Sequence, residues 1–302
     1  MIVNNSKPTK SPLQGVGGEK LKIAIQKSGR LSEKSLQLLG ECGIKISNGD
    51  RKLKTEAKNF PIEILFLRDD DIPQYVEKGV ADIGILGQNE VWEKDKDVEE
   101  VEMLGFGNCR LSLAIPKDEV YTNLDYFNGK RIATSYPKIL TKYFRVKGIE
   151  VQVEELGGSV EIATGIGLAD GIFDIVSTGS TLIMNGLKEV EAIIKSEAVL
   201  IANKSLNENK KQLLEKLLFR IRAYKRGFES KYIVMNAPNS SIPKICAILP
   251  GMKSPSILPL AEEGWSSVHS VVQEDQFWDV IDALKDVDAQ GILVMNIEKM
   301  IL

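Results

Sequence analysis

Short apolar runs alternate with helical segments in the first part of the chain, and this alternation restricts the fold more than any other feature. Apolar runs occupy Leu21–Ile25, Ile62–Leu67 and Ala81–Gly87. After the first run, Leu31 and Leu38 recur at helical spacing. Strands separated by helices predict a parallel sheet, whose ligand sites lie beyond the carboxyl ends of its strands.

A second block of the same kind begins near Leu111. The runs LSLAIP, KRIATS and FDIV predict strands, and residues 140–144 predict a helix. The stretch EKGVADIGILGQNEV has the same order of helix, Asp, apolar strand, Gly and helix as GLADGIFDIVSTGSTLI. We interpret this internal similarity as two lobes that each bring a strand end and a helix N-terminus to a shared cleft.

The segment after residue 229 changes character. KYIVMNAP, IPKICAILPG, SPSILPLAEE, WSSVHSVVQ, FWDVIDALK and GILVMNI predict strand–helix–strand–strand–helix–strand, which is the ferredoxin-like pattern. We therefore expect a mobile tail and three folded parts, with these bounds: tail 1–20, lobe I 21–110 and 195–228, lobe II 111–194, and a small C-terminal domain 229–302.

Charge and histidine content exclude several classes of function. Of 302 residues, 39 are Lys or Arg and 42 are Asp or Glu, and the net charge of −3 argues against a chain-wide nucleic-acid interface. A single histidine, His269, excludes a multi-histidine zinc site. Three widely spaced cysteines without a CxxC motif predict reduced thiols and a cytoplasmic location, and no apolar run is long enough to span a membrane.

A loop rich in hydroxyl groups is the strongest candidate for binding chemistry. Ser177, Thr178, Gly179, Ser180 and Thr181 lie between the predicted strand FDIV and the predicted helix LIMNGL. Hydroxyls and backbone N–H groups at a helix start suit a phosphate monoester. An ordinary Ser/Thr helix cap is the alternative, although one hydroxyl would suffice for it.

Carboxylates precede this loop. Asp170 and Asp174 would hydrogen-bond ribose hydroxyls or hold Mg²⁺ through water if they lie near a bound phosphate, and Glu161 has the same two uses. A solvated helix residue is the alternative for Asp170, and Glu161 has the same ambiguity.

Cations follow two of the predicted strands in the first block. Lys27 and Arg30 come after the first strand, and Arg68 comes after the second, beside Asp69–Asp71. They would neutralise a second anionic group, or they form a surface ion-pair cluster. Because GxxxxGK[ST] and GxGxxG motifs are absent, phosphate recognition would be neither of the P-loop nor of the Rossmann type.

The stretch GSVEIATGIGLADGIFDIVSTGSTLIMNGL resembles the long form of ATP phosphoribosyltransferase. The resemblance extends to IAIQKSGRLSEKSLQLL, LRDDDIPQYVEKGVADIGILGQNEV, FGNCRLSLAIP, GKRIATSYP and GILVMNIEKM, and it covers nearly everything after residue 20. It implies a two-lobed, periplasmic-binding-protein-like α/β catalytic part with parallel and mixed sheets, and a ferredoxin-like βαββαβ regulatory domain. It also implies the reaction of ATP with 5-phosphoribosyl-1-pyrophosphate in the first step of histidine biosynthesis, with Mg²⁺.

The resemblance assigns roles to the candidate residues. The loop would hold the 5-phosphate, with the ribose facing Asp174, Asp170 and Glu161, and Mg²⁺ would bind through the substrate phosphates with Asp170 or Glu161 as candidate ligands. Pyrophosphate and ATP would meet Lys27, Arg30, Arg68, Asp70, Asp71 and Arg110. Many members have Ala-Pro-Arg where this chain has Ala163-Thr164-Gly165, so the remaining cations would have to supply the missing charge.

The regulatory domain would bind free histidine as an inhibitor. Its expected contacts are Asn236, Met252, Ser256, His269 and Gly291. The resemblance further implies a homohexamer in equilibrium with a dimer. A two-lobed small-molecule binding or sensor protein, or a paralogue that has lost catalysis, are the alternative interpretations.

Overall fold

The computed structural model describes residues 18–46, 53–249, 251 and 254–302. Most of the predicted tail, and Met252, therefore lie outside the described residues. The strands are β1 (Leu21–Gln26), β2 (Lys54–Glu56), β3 (Ile62–Leu67), β4 (Ile83–Gly87), β5 (Val98–Met103), β6 (Cys109–Pro116), β7 (Arg131–Thr134), β8 (Gln152–Glu155), β9 (Gly171–Val176), β10 (Leu187–Ser196), β11 (Ala198–Asn203), β12 (Ser230–Pro238), β13 (Ser256–Pro259), β14 (Trp265–Gln273) and β15 (Gln290–Asn296). The helices are α1 (Arg30–Glu41), α2 (Ile72–Glu77), α3 (Gln88–Lys94), α4 (Pro137–Lys147), α5 (Ser180–Met184), α6 (Glu208–Phe228), α7 (Ile242–Ile248) and α8 (Phe277–Lys285).

The first sheet has the strand order β2-β3-β1-β4-β11-β5. Its strands β3, β1 and β4 run parallel, and β11 pairs antiparallel with both β4 and β5. Apolar side chains of β1 and β4 are buried on both faces, as expected for central strands covered by helices. A Cβ at Gly84 would lie 2.6 Å from Cγ2 of Ile72, so glycine lets α2 lie close against the sheet.

The second sheet has the order β10-β6-β9-β7-β8, with β9, β7 and β8 parallel and β6 antiparallel to its neighbours. The chain leaves the first sheet after Met103 and enters the second at Cys109. It returns between Ser196 and Ala198. Two mixed sheets joined by two crossovers confirm the predicted two-lobed α/β fold.

The C-terminal sheet has the order β13-β14-β12-β15 and is antiparallel throughout. With α7 and α8 it forms the predicted βαββαβ unit, because the first strand lies between the third and the fourth. Ile281 and Leu284 of α8 are buried against this sheet, as their helical spacing predicts.

The chain divides into two compact units, and the boundary lies within α6, between Leu214 and Glu215. The sequence patterns place the start of the small domain later, at residue 229. The end of α6 packs against the end of the chain: Ala223 O accepts a hydrogen bond of 2.8 Å from Met300 N, and a Cβ at Gly227 would lie 2.8 Å from Ile297 O. Within the described parts of the chain, no helix has the length and apolar character needed to cross a membrane.

Candidate phosphoribosyl and nucleotide site

Ser177–Thr181, which we call the hydroxyl loop, lies at the carboxyl end of β9, as the sequence pattern predicts. Gly179 has φ 81° and ψ −3°, a left-handed conformation that turns the chain sharply into α5. The four hydroxyl-bearing residues of the loop are exposed. The loop therefore presents its hydroxyl groups to solvent at the edge of the second sheet.

Among the hydroxyls of the loop, Thr178 alone makes a cap-like contact to α5, and that contact is long. Gly179 occupies the N-cap position of α5, and no side chain there makes a capping hydrogen bond. Thr178 Oγ1 lies 3.0 Å from Ser180 Oγ and accepts a long hydrogen bond of 3.4 Å from Ser180 N. Because α5 has only five residues, its dipole is small, and the hydroxyls and backbone N–H groups are the main donors that the loop offers.

Two carboxylates lie beside the loop. Asp174 is on β9, and Glu161 is in a 3-10 turn at Val160–Ile162, which follows β8 at the same edge of the sheet. Burial raises the pKa of Asp174 to about 6; the hydrogen bond from Ile175 N (2.8 Å) lowers this pKa, and the negative charge of Glu161 raises it. An acid pair of this kind favours a cation or a hydroxyl donor between its members.

Asp170 is not brought to the hydroxyl loop. It precedes β9 at the opposite end of the strand, and an extended segment of this length separates it from Ser177 by about 20 Å. Its carboxylate accepts hydrogen bonds from Arg131 N (2.9 Å) and from the Arg131 guanidinium (3.1 Å), which hold the pKa of Asp170 below its ordinary value. The structure therefore corrects the expectation that Asp170 faces the ribose or the metal.

Arg110 contacts the loop itself. Its guanidinium forms an ion pair with Glu189 of β10, and NH1 donates a hydrogen bond of 3.0 Å to Ser177 O. Ser112 Oγ donates to the same carboxylate at 2.8 Å. Hydrogen bonding to Arg110 holds the pKa of Glu189 low, and Glu189 raises the pKa of Arg110. Arg110, predicted to meet substrate phosphates, instead fixes the start of the hydroxyl loop.

The predicted cations of the first lobe share one sheet edge. Lys27 and Arg68 follow the neighbouring parallel strands β1 and β3, and Lys27 N donates to Leu67 O at 2.8 Å. Arg30 begins α1, and all three side chains are exposed. The register of the sheet thus brings together Lys27 and Arg68, which lie far apart in sequence.

The acidic residues after Arg68 form a 3-10 turn, Asp69–Asp71, that leads into α2. Asp69 Oδ2 accepts a long hydrogen bond of 3.4 Å from Gln26 Nε2. The Asp70 carboxylate lies 3.7 Å from Lys94 Nζ, and Asp71 is exposed. Asp70 thus forms a surface ion pair with Lys94, which is not one of the predicted cations, and such a pair contributes little stability.

A cavity of about 530 Å³ lies at the boundary between the two lobes. Its lining comes from both sheets and both crossovers and comprises Gln88, Met103, Asn108, Cys109, Arg110, Ser177, Lys195, Ser196 and Glu197. Because Arg110 and Ser177 belong to this lining, the hydroxyl loop begins at the cavity wall.

Sequence reasoning missed the partners that hold the site together. Glu189 lies 79 residues from Arg110 and belongs to no recognisable motif. Tyr136 lies in the stretch GKRIATSYP. Its hydroxyl donates a hydrogen bond of 2.9 Å to Glu90 of the first lobe, and no local sequence pattern indicates this partner. Burial raises the pKa of Glu90; burial, and then the adjacent negative charge of Glu90, raise the pKa of the Tyr136 hydroxyl.

The described members of the predicted effector set, which exclude Met252, lie on one sheet of the C-terminal unit. His269 pairs with Ser256 and Val234 in register, its Nδ1 lies 2.8 Å from the Tyr232 hydroxyl, and its Nε2 lies 3.1 Å from Ser267 Oγ. A Cβ at Gly291 would lie 3.9 Å from the Asn236 amide nitrogen. The sheet therefore brings Asn236 near Gly291 and Ser256 near His269.

Comparison with known protein families assigns the chain to a family. The family model HisG, ATP phosphoribosyltransferase, matches residues 68–223, and the model HisG, C-terminal domain, matches residues 228–299. An ATP phosphoribosyltransferase from Bacteroides thetaiotaomicron is 57% identical over 282 residues, which are 93% of this chain and 100% of the relative. The chain belongs to the ATP phosphoribosyltransferase family. The match to the C-terminal domain model confirms that the chain has the long form of the family.

Two further relatives agree with this assignment. An ATP phosphoribosyltransferase from Cytophaga hutchinsonii is 55% identical over 93% of this chain and 98% of the relative. The solved ATP phosphoribosyl transferase (HisG:HisZ) complex from Thermotoga maritima is similar to 67% of this chain and 98% of that one, with 33% identity and a TM-score of 0.57. The ATP phosphoribosyltransferase family transfers a phosphoribosyl group to ATP in the first step of histidine biosynthesis, so the chain is a pentosyltransferase rather than a two-lobed sensor protein.

Proposed function

We propose that the hydroxyl loop binds the 5-phosphate of 5-phosphoribosyl-1-pyrophosphate and that Asp174 and Glu161 face its ribose. The observation that carries this proposal is the loop's set of four exposed hydroxyls, of which Thr178 alone makes a long contact to the start of α5, beside the partly desolvated carboxyl of Asp174. Hydroxyl and amide donors match the acceptor oxygens of a phosphate. Carboxylates match the hydroxyl donors of a ribose.

The first lobe would supply the positive charge. Lys27, Arg30 and Arg68 are exposed at the edge where β1 and β3 end, and they would neutralise the pyrophosphate and the ATP phosphates. Asp70 and Asp71 would line the nucleotide side. Arg110 has a different role in this proposal, since its guanidinium is committed to Glu189 and to the Ser177 carbonyl.

The reaction needs no strong base. Adenine N1 donates its own lone pair to ribose C1′ while the bond from C1′ to the pyrophosphate oxygen breaks, and the electron pair of that bond leaves with pyrophosphate. Positive charge develops on the ribose in the transition state, where the adjacent carboxylates stabilise it. Positioning and electrostatics therefore account for the catalysis, which agrees with a chain that has one histidine.

The described residues are better suited to Mg²⁺ that arrives bound to the substrate phosphates than to Mg²⁺ held by protein ligands alone. Over 18–46, 53–249, 251 and 254–302, no group of three or more His, Cys, Asp or Glu side chains has the arrangement to hold a metal. Glu161 and Asp174 offer the oxygen donors that Mg²⁺ prefers, whereas Asp170 is bound to Arg131. We infer that Glu161 is the better of the two predicted ligands. The ion would neutralise the leaving pyrophosphate.

Feedback inhibition is the second part of the proposal. Free histidine would bind the C-terminal sheet at Asn236, Ser256, His269 and Gly291, with Met252 as a further predicted contact. Inhibition requires histidine to favour one of two states by differential affinity. A homohexamer that exchanges with a dimer would provide those states. The cytoplasmic location stays a prediction.

A direct assay tests the transferase activity. The protein is mixed with ATP, 5-phosphoribosyl-1-pyrophosphate and Mg²⁺, and the ultraviolet absorbance of the N1-substituted adenine is followed. We expect it to rise until substrate is exhausted. A flat trace from folded protein would reject the activity and favour the paralogue that has lost catalysis.

A double substitution tests the hydroxyl loop. Thr178→Ala with Thr181→Ala removes two donors at exposed positions, so the fold persists while the Michaelis constant for the phosphoribosyl substrate rises about tenfold or more. Thr122→Ala, at an exposed position in another loop, is the matched control. An unchanged Michaelis constant in the double variant would contradict the assignment of the loop.

A further inference from the structure

The N-terminus of α4 is capped by a side chain from the other lobe. A helix leaves its first backbone N–H groups without intrahelical partners. In α4, Lys138 N donates to Glu93 Oε1 at 3.0 Å and Ile139 N donates to Glu93 Oε2 at 3.1 Å. Glu93 belongs to α3 of the first lobe, and only 5% of it is exposed. Tyr136, at the N-cap position of α4, makes no side-chain cap of its own.

A second contact links the same two helices. The Tyr136 hydroxyl, just before α4, donates to Glu90 Oε1 at 2.9 Å. Asn89 Nδ2 lies 3.2 Å from the same oxygen, and all three residues are buried. We call Asn89, Glu90, Glu93, Tyr136 and the first turn of α4 the interlobe joint.

The joint also reaches the return crossover. Asn89 N donates to Ser196 Oγ at 3.0 Å, and Ser196 Oγ donates to Asn89 Oδ1 at 2.9 Å. Ser196 ends β10, from which the chain returns to the first sheet. Helix α3 therefore contacts two separate elements on the side of the second sheet, α4 and the end of β10.

The joint is next to the proposed reaction site. Gln88, the first residue of α3, lines the interlobe cavity together with Ser177 and Arg110. The Asp174 carboxylate is close enough to Tyr136 for its charge to raise the pKa of that hydroxyl. A shift of α3 against α4 would therefore change the distance between the two halves of the site.

We propose that α3 pins the two lobes at a set separation before substrate binds, and that Glu93 and Glu90 are positioning residues for phosphoribosyl transfer. This inference rests on the proposed function, because one lobe would carry the hydroxyl loop and the other the cations. Burial of the Glu93 carboxylate costs free energy. Its charge-assisted hydrogen bonds and the positive N-terminal end of α4 offset this cost. Opening the lobes at α3 would break both hydrogen bonds to Glu93. The cap therefore favours the closed arrangement without a ligand.

Glu93→Gln tests the joint in the full chain. The amide keeps the shape of the side chain but has one acceptor oxygen for two N–H donors. Adenine N1 must lie within about 3–3.5 Å of C1′, and a misplacement of about 1 Å costs about 10²-fold in rate. We expect kcat to fall by tenfold to 10²-fold while both Michaelis constants stay within about twofold. Glu155→Gln is the matched control, because Glu155 is an exposed carboxylate that lines, together with Glu93, a surface groove between α3 and α4; this variant should leave kcat unchanged.

Hydrogen exchange separates positioning from simple stability. The amides of Lys138 and Ile139 should be protected in the wild type without substrate and should exchange faster in Glu93→Gln. The crossover amides of Leu104 and Ala198, which are hydrogen-bonded between the two crossovers, should exchange faster as well. Faster exchange at Lys138 and Ile139 with unchanged kcat would overturn the proposal, because the cap would then be only structural. Unprotected amides in the wild type would overturn it as well.

Tyr136→Phe covers the case in which Glu93→Gln does not fold. It removes only the hydroxyl that donates to Glu90. We expect a smaller fall in kcat in the same direction, with faster exchange at the amides of Leu104 and Ala198. A wild-type kcat in this variant would count against the joint. If the wild type itself shows no turnover, the proposed function fails. The pinning of the lobes is then tested separately, by hydrogen exchange at the amides of Lys138 and Ile139 and of the crossover.

Discussion

Asp174→Asn should make the protein more stable and less active. The carboxyl of Asp174 has its pKa raised from the ordinary value of 3.8 to about 6, chiefly by burial. The folded state therefore binds its proton more tightly than the unfolded state does. The cost of ionisation is fully present above pH 6 and is relieved as the pH falls from 6 towards 3.8. Asparagine removes this cost and keeps an oxygen for the hydrogen bond from Ile175 N.

The size of the effect follows from the two pKa values. The difference between a pKa of 3.8 and one of about 6 corresponds to about 3 kcal/mol at a pH well above both values. The variant should thus gain up to about 3 kcal/mol in free energy of unfolding near pH 8 and about half of that near pH 5. Its kcat/KM should fall, because the charge that faces the ribose is lost.

Urea unfolding at the two pH values, together with the absorbance assay, measures both effects. Asp118→Asn, at an exposed position after β6, is the control and should change stability by less than about 0.5 kcal/mol. A loss of stability near pH 8, or a gain that does not depend on pH, would refute the reasoning about desolvation. A gain in stability with full activity would remove Asp174 from the site.

Four other substitutions test the remaining assignments. Glu189→Gln weakens the hold of Arg110 on the hydroxyl loop, so the Michaelis constant for the phosphoribosyl substrate should rise about tenfold while that for ATP does not change; an equal rise in both would contradict this. Gly165→Arg supplies the cation found in many family members. Steady-state kinetics should show a lower Michaelis constant for the phosphoribosyl substrate, and the decrease should be larger at low salt. An unchanged Michaelis constant at every salt concentration would argue against a nearby phosphate. Asp170→Asn should leave kcat unchanged and cost less than about 1 kcal/mol in urea unfolding, because its ion pair is partly exposed; a large fall in kcat would return Asp170 to the site. His269→Ala should raise the histidine concentration for half-inhibition, and unaltered inhibition would move the effector site elsewhere.

The hydroxyl loop shows what local patterns predict well. An apolar run, a glycine and a cluster of hydroxyl residues mark the end of β9 and the start of α5, and each signal comes from neighbouring residues. The ends of β1 and β3 were predictable for the same reason, because parallel strands place their carboxyl ends at one edge of a sheet.

Asp170 shows where closeness in sequence misleads. It precedes the loop by only a few residues, but these residues form a strand, and an extended chain advances about 3.3 Å per residue. The two carboxylates of the motif are therefore separated: Asp174 is beside the loop, and Asp170 binds Arg131 at the other end of β9.

Residue types, periodicity and motifs were sufficient to indicate two α/β lobes, a ferredoxin-like C-terminal unit and a loop suited to phosphate, because strands, helices and turns depend on neighbouring residues. Packing of distant segments set the rest. Glu189 reaches Arg110 from another strand, and Glu93 caps a helix that begins 44 residues later in the chain. Such partners depend on how sheets and helices meet in space, and a buried charge takes whichever donors that packing brings to it.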